Sequence, residues 1–184
     1  VTDVNEAPAI TSDSGGDTAA VNIDENETAV TTVAASDEDP ADTLTSSVSG
    51  GDDSALFSID ESSGALTFAS APDFESAADT DTDNDYIVEV TVSDDGTGEL
   101  TDSQTITVTV GDVEEGPSIT SDSSVNVAEN ETTVLTVEAT DSDGDVLAFS
   151  YNGDDAVHGI GWGTRRDDRP LVGPCISGAA MVTD

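Results

Sequence analysis

Apolar and polar residues alternate in short runs along the first 111 positions of the chain. From Tyr86 to Val92 every second residue is apolar, and from Ile106 to Val110 threonines separate the apolar residues. A period of two places all the apolar side chains on one face of a β-strand. Four earlier segments keep the same parity less cleanly: Val21 and Ile23, Val33 and Ala35, Phe57 and Ile59, and Leu66 and Phe68. The segment from Thr43 to Val48 is counted as a further strand.

Clusters of Gly, Ser and Asp separate these runs at positions 49–52, 62–64 and 94–96. Such clusters favour turns, because Gly adopts positive φ angles freely and Asp and Ser hydrogen-bond to their own backbone. About seven short strands divided in this way are typical of an immunoglobulin-like domain. The sequence therefore predicts an all-β fold, an immunoglobulin-like Greek-key β-sandwich, with no helix beyond a single turn in an acidic loop.

An internal repeat divides the chain. The segment from Asp3 to Asp13 returns 109 residues later, starting at Asp112, and the segment from Val21 to Thr28 returns 104 residues later, starting at Val125. A turn-rich insertion at Gly15-Gly16 accounts for the difference, and one unit has the size of a single sandwich domain. We therefore expect one complete repeat followed by a partial second repeat: an inter-repeat linker at 1–8, the first repeat at 9–113, the N-terminal part of the second at 114–156, and an atypical tail at 157–184.

The charge of the chain narrows its range of partners. The 184 residues include 41 Asp and Glu but 3 Lys and Arg, a net charge of -38. Nucleic acid and anionic membranes are excluded as partners because both are bound through Lys and Arg clusters. Self-repulsion of this size requires divalent cations or a saline medium. Disorder is disfavoured because the apolar residues are so clearly patterned.

Other composition features exclude further classes of protein. There is no run of about 18 apolar residues, so we expect no direct membrane insertion in this segment. Cys175 is the only cysteine, which excludes an internal disulfide and a cysteine-cluster metal site. The chain begins in the middle of a motif and reads as a segment of a longer protein.

Acidic residues gather where the predicted strands end. A single Asp-x-Asp pair in so acidic a chain is typical of a solvated turn, whereas several acidic motifs in a fixed order indicate cation binding. Calcium takes about six to eight oxygen ligands, which spaced carboxylates supply. In a Greek key the last strand leaves opposite the chain entry, so we expect Asp112 near the start of the next unit. The motifs comprise Glu25, Asp37 and Asp39, Asp73 and Glu75, and Asp112, Glu114 and Glu115, and the second unit repeats one of them as Asp141 and Asp143.

These motifs resemble those of cadherin repeats, and most closely the bacterial cadherin-like tandem repeats of very large surface and secreted proteins. The resemblance covers residues 9 to 117 in motif order and continues to about Asp145. It rests on five motifs: Glu25-Asn26, Asp37-x-Asp39, Asp73-Phe-Glu75, the strand from Tyr86 that ends in Asp94-x-Gly96, and Asp112-Val-Glu-Glu-Gly-Pro117.

The resemblance implies a calcium site at the junction between repeats, holding about two or three ions. Asn5 occupies the position of the family's junction asparagine in the first motif, and Glu114 replaces it in the second, which changes the reach of one ligand. The implied ligands of this junction are Glu25, Asp73, Glu75, Asp112, Glu114 and Glu115 with Asp141 and Asp143. Those of the preceding junction are Asn5, Asp37, Asp39 and Asp94, with Glu6 beside them.

The expected function is that of a calcium-binding module, with Ca²⁺ as the only cofactor. It would act in cell adhesion or as a calcium-rigidified spacer in a large extracellular or cell-surface protein. Its expected partners are neighbouring repeats and cell-surface proteins or glycans, and it is not expected to be an enzyme.

Two alternatives remain open at this stage. A carbohydrate-binding accessory module of a polysaccharide-degrading enzyme needs an aromatic platform, but the first repeat has no Trp and Tyr86 is predicted to be buried. A hydrolase with an acidic pair needs a cleft, whereas the best-placed carboxylates belong to the junction.

The tail differs abruptly from the repeats in composition. All three Arg residues, together with the only His, Trp, Cys and Met, fall within 157–184. Either the second repeat is diverted by a frameshift or gene junction, which we favour, or an unrelated segment begins here. The mixed-charge segment 165–169 is typical of a solvated loop rather than a phosphate site. His158 and Cys175 lack a scaffold that would make them a catalytic pair. A second repeat without its last strands is expected to expose apolar surface.

Overall fold

β-Strands make up almost all the regular structure of the chain in the computed structural model, which describes residues 4–151 and 180–183. The chain divides into two units, Val1–Val113 and Glu114–Asp184, and each is described by itself. Among the described residues, no helix has the length and hydropathy needed to cross a membrane.

The described part of unit 1, residues 4–113, contains nine strands and one 3-10 turn. The turn, Ser54–Leu56, lies in an acidic loop as predicted. The strands are β1 Ala9–Ile10, β2 Thr18–Asp24, β3 Ala29–Thr32, β4 Ala35–Ser36, β5 Thr45–Gly50, β6 Phe57–Ile59, β7 Ala65–Phe68, β8 Asp85–Ser93 and β9 Thr101–Gly111.

Two main sheets form the sandwich of unit 1. The larger has the strand order β2-β9-β8-β5, and the smaller has the order β3-β7-β6. β2 pairs in parallel with β9, from Thr18 opposite Thr105 to Asp24 opposite Gly111. The other pairs in both sheets are antiparallel. The predicted all-β, immunoglobulin-like sandwich is therefore confirmed.

The core lies between the two sheets and uses the predicted parity. Tyr86, Val88, Val90 and Val92 of β8 are at most 1% exposed, because a period of two turns them all to the same face. The Phe68 ring meets Tyr86 edge to face with centroids 5.0 Å apart, a favourable aromatic geometry. The Tyr86 hydroxyl accepts a hydrogen bond from the Ala78 amide at 3.1 Å.

The predicted strand around Val33 and Ala35 is divided in the structure. β3 ends at Thr32, and a separate β4 pairs with β1. The Val33 amide donates to the Gly64 carbonyl at 2.8 Å. Gly64 has a φ of 69°, and a Cβ at this position would overlap the Val33 carbonyl. Because Val33 bonds to Gly64, it does not take part in the strand pairing of β3 or β4. The sequence did not predict β1, because a strand of two residues is too short to show alternation.

Unit 2 repeats one local feature of unit 1. Its strand β10, Ser118–Ile119, pairs with β11, Ala139–Thr140, in the same register as β1 with β4. A further pair joins β12, Ala148–Tyr151, to β13, Ala180–Thr183.

The apolar side chains described in residues 114–150 of unit 2 are exposed or half-buried. Val146 is 92% exposed and Phe149 is 52% exposed, and no side chain of residues 114–150 falls in the buried class. The partial second repeat stays a prediction. The predictions for positions 157–179 and for 184 lie outside the described residues.

Candidate metal centre

Glu25 anchors a carboxylate cluster at the end of unit 1 from which the chain leaves. It follows β2 directly and is 3% exposed. Its Oε2 accepts a hydrogen bond from the Phe74 amide, and its Oε1 accepts one from the Val113 amide, both at 2.9 Å. One buried side chain thus ties the end of β2 to the β7–β8 loop and to the last residue of the unit.

Three further carboxylates lie beside Glu25. Oxygens of Glu25, Asp73 and Glu75 are within 4.8 Å of one another, and Glu75 is equally close to Asp112. Asp73 and Glu75 flank Phe74, whose amide Glu25 holds. We call Glu25, Asp73, Glu75 and Asp112 the exit cluster. The structure brings together these four predicted residues from three separate segments.

A second predicted group lies at the opposite end of unit 1. The chain leaves β8 at Asp94 and leaves β9 at Asp112, and these strands are antiparallel. β9 has 11 residues, so the two ends are about 33 Å apart at roughly 3.3 Å per residue. We call this second group the entry cluster; its predicted members are Asn5, Glu6, Asp37, Asp39 and Asp94.

Hydrogen bonds tie the entry cluster to the first residues of the chain. The Asn5 side-chain amide donates to Asp94 Oδ2 at 3.1 Å, and the Glu6 backbone amide donates to Asp39 Oδ2 at 3.0 Å. Asp37 Oδ1 accepts from the Asp39 amide at 2.8 Å. The other oxygen of Asp37 is buried without a hydrogen-bond partner, which leaves it open to a cation.

Sequence reasoning missed Asp42, which also belongs to the entry cluster. Burial, and then the charges of four neighbouring aspartates, Asp39 first, raise the pKa of the Asp42 carboxyl. Its Oδ2 is buried and has no hydrogen-bond partner. Gly96 lies against both residues, since a Cβ added there would overlap the side-chain ends of Asn5 and Asp42. The signal for Asp42 was weak because it lies outside the Asp-x-Asp spacing.

Unit 2 repeats one contact of the entry cluster within itself. The Glu115 amide donates to Asp143 Oδ2 at 2.7 Å, as the Glu6 amide does to Asp39 in unit 1. Asp141 Oδ1 accepts from the Asp145 amide at 3.3 Å. Glu114 is exposed. Of the predicted ligands in unit 2, Glu115 and Asp143 are thus in direct contact.

A third acidic cluster was not predicted. Oxygens of Asp79, Asp81 and Asp83 lie within 4.8 Å of one another in the β7–β8 loop. The sequence carried a signal for it, because three aspartates alternate in Asp79-Thr-Asp-Thr-Asp83.

The donor atoms of all three clusters suit a hard cation. The chain has no Lys, Arg, His or Cys before position 158, so no basic side chain in that stretch offsets the carboxylates. Oxygen ligands without nitrogen or sulfur are typical of Ca²⁺ sites rather than Zn²⁺ sites. Crowded like charges and buried oxygens without donors both favour a bound divalent ion. The residues present therefore fit calcium.

Unit 1 is thus a β-sandwich domain with an acidic cluster at each end. The cadherin domain profile matches residues 19–111, half of the chain, and the chain belongs to the cadherin domain family. The family resemblance inferred from the motifs is confirmed. The bacterial type of repeat stays a prediction. No curated protein sequence matches the chain.

Solved cadherin structures share this fold. A cis-dimer structure of protocadherin gammaB7 repeats EC3-6 has a TM-score of 0.53 at 21% identity, covering 83% of this chain and 40% of that one. Protocadherin gamma B2 extracellular cadherin domains 3-6 have a TM-score of 0.52 at 21% identity, covering 82% of this chain and 40% of that one. The protocadherin gammaB4 extracellular domain has a TM-score of 0.50 at 19% identity, covering 79% of this chain and 26% of that one. The chain thus spans less than half the length of these proteins.

Proposed function

We propose that this chain is a calcium-binding cadherin-like module that acts in cell adhesion or as a calcium-rigidified spacer in a large extracellular protein. One observation carries the proposal: four carboxylates from three segments meet at the chain exit of unit 1, and no basic side chain precedes position 158. Membership of the cadherin domain family supports the adhesion role and favours it over catalysis.

In this proposal the exit cluster holds calcium together with residues of the following repeat. Asp141 and Asp143, with Glu114 and Glu115 of the linker, supply the remaining oxygens. The motif order supports this assignment, because the Glu6 to Asp39 contact recurs as Glu115 to Asp143. The entry cluster plays the same part toward a preceding repeat.

The mechanism follows from charge. Without calcium, like charges in the clusters repel one another, and the connection between repeats is free to bend. Calcium supplies positive charge that several carboxylates bind at once, so that segments held by one ion lose their relative freedom. Binding energy is converted into stiffness along the chain of repeats.

The proposed setting is extracellular or at the cell surface. The matching protocadherin structure that covers 79% of this chain is an extracellular domain. We propose neighbouring repeats as the direct partners, and cell-surface proteins or glycans as partners of the whole protein. A carbohydrate platform in unit 1 has less support, since Phe57, Phe68 and Tyr86 are buried and the half-buried Phe74 is a single ring.

Calorimetric calcium titration and small-angle scattering of the full chain, with calcium and with a chelator, test the proposal. We expect calcium binding together with a narrower distribution of dimensions. The Asp73→Asn/Glu75→Gln variant should lose bound calcium and the scattering change. Its control, Asp17→Asn/Glu61→Gln, removes the same charge at two exposed positions outside the clusters. Equal binding and scattering in the two variants would contradict the assignment.

A further inference from the structure

The β7–β8 loop of unit 1 carries the third acidic cluster, Asp79, Asp81 and Asp83, which the function proposed above does not use. It is formed within one loop of one unit, so it needs no neighbouring repeat. A solvated acidic turn is the simplest explanation for such a segment. The question is whether its carboxylates are in fact solvated.

Asp79 is not solvated. It is 4% exposed, and its Oδ2 accepts a hydrogen bond from the Asp83 amide at 2.9 Å. Its Oδ1 is buried and has no hydrogen-bond partner. A charged oxygen removed from water without a donor is destabilising, and a bound cation would supply the missing interaction.

The second carboxylate of the cluster is crowded by the other two. An oxygen of Asp81 lies within 4.8 Å of oxygens of both Asp79 and Asp83. Carboxylates this close repel one another, and a cation bound between them would offset that repulsion. No Lys, Arg or His occurs in the sequence before position 158 to supply a positive side chain.

The loop is held in place independently of any ion. Asp53, itself 5% exposed, accepts hydrogen bonds from the Thr80 and Ile87 amides at 2.8 Å each. Asn84 donates its side-chain amide to the Phe74 carbonyl at 3.0 Å. The backbone between Asp79 and Asp85 therefore has fixed ends, and the three carboxylates start close to one another before an ion arrives.

We propose that Asp79, Asp81 and Asp83 bind one Ca²⁺ ion inside unit 1, at a site separate from the clusters at its two ends. Carboxylates at the first, third and fifth positions begin the calcium loop of EF-hands, in which the sixth residue is Gly. Here the sixth is Asn84, with a φ of 65°, an angle that Asn tolerates better than most residues.

The twelfth position predicts a weak site. An EF-hand loop supplies a bidentate Glu there, whereas this chain has Val90, buried in the core at 0% exposure. With that ligand missing, water completes the coordination, and the dissociation constant belongs with extracellular modules at roughly 10⁻⁴ to 10⁻³ M. Such a site fills in a calcium-rich exterior and empties where calcium is scarce.

The loop site also has a structural route to the exit cluster. Asn84 holds the Phe74 carbonyl, and the Phe74 amide donates to Glu25. An ion bound by Asp83 would further restrain the adjacent Asn84, and through it the peptide on which Asp73 and Glu75 are placed. Filling of the loop site should favour binding at the exit cluster.

Calcium titration of the full chain by calorimetry, with equilibrium dialysis for stoichiometry, tests the site. The Asp81→Asn/Asp83→Asn variant keeps side-chain oxygens and exposed positions but removes two charges, so folding should persist, as circular dichroism will verify. We expect it to bind one ion fewer than the wild type, with the weakest binding phase lost. The Asp17→Asn/Glu61→Gln control should keep every ion. Unchanged stoichiometry in the loop variant overturns the proposal.

Terbium luminescence gives a local readout. Tb³⁺ replaces Ca²⁺ in oxygen sites and emits when a nearby aromatic ring is excited, and Tyr86 contacts the residue before Asp79. The loop variant should lose this emission, whereas the Asp73→Asn/Glu75→Gln variant should retain it. Loss only in the latter would place the ion at the exit cluster and refute the loop site. A wild type that binds no calcium defeats both proposals, whereas loss of the loop ion alone leaves the exit cluster intact.

Discussion

Replacing Glu25 with Ala tests how the exit cluster is built, apart from whether it binds metal. Glu25 accepts two backbone hydrogen bonds at 2.9 Å, from Phe74 and Val113. The Ala variant leaves both amides without a partner and detaches the β7–β8 loop and the chain exit from β2. The fold should survive, because none of the strand pairings depends on this side chain.

The magnitude follows from the two hydrogen bonds. A hydrogen bond to a charged group contributes about 1.5 kcal/mol in a partly buried setting, so the loss is about 3 kcal/mol. Removing one charge relieves repulsion from Asp73 and Glu75, which returns about 0.5 to 1 kcal/mol at exposed carboxylates. The net cost is about 2 kcal/mol, or roughly 10 °C in melting temperature for a domain of this size.

Thermal unfolding followed by circular dichroism in chelator measures this cost without calcium. The Glu25→Gln variant keeps one acceptor oxygen and should lie between the wild type and the Ala variant. In calcium the melting temperatures of both variants should differ more from that of the wild type, because each variant lacks one calcium ligand. A melting temperature for Glu25→Ala in chelator that equals the wild-type value would refute the reasoning, since the two hydrogen bonds would then contribute nothing.

Three further predictions concern unit 1 in chelator. Gly64→Ala should destabilise the unit by about 1 to 3 kcal/mol in urea unfolding, because a Cβ would overlap the Val33 carbonyl at a positive φ; Gly116→Ala, which has open space, should be neutral, and equal midpoints would contradict this. Asp42→Asn should raise the melting temperature at pH 7. The pKa of the Asp42 carboxyl is raised in the folded state, so its negative charge opposes folding above that pKa. The gain in melting temperature should therefore shrink as the pH falls toward 3.8. Asp60→Asn should lower the melting temperature at pH 7, because hydrogen bonds from Ser63 and Ser62 lower the pKa of the Asp60 carboxyl. The ionised Asp60 stabilises the fold above pH 3.8, and this stabilisation is lost as the pH falls through the lowered pKa. Melting temperatures from pH 3 to pH 7 that shift in the same direction for both variants would exclude this explanation.

Much of the fold could be predicted because strand parity is a local property. A period of two in β8 and β9 identifies the buried face without knowledge of any partner, and Tyr86 and Ile106 are buried as predicted. β1 and the break at Val33 could not be predicted, since both depend on contacts with distant residues. Two residues contain too little pattern to reveal a strand, and the Val33 to Gly64 contact exists only after folding.

The candidate site, too, could be predicted only in part. The sequence by itself determined the donor type, the excess of carboxylates and the order of the motifs, because these are properties of composition and spacing. Only the tertiary structure decided which carboxylates meet: the parallel pairing of β2 with β9 places Glu25 beside the chain exit. It also decided that Asp79 is buried and that Asp42 joins the entry cluster. Charge and ligand chemistry are properties of individual residues and can be read from the sequence. Burial and proximity arise only when segments far apart in the chain pack together.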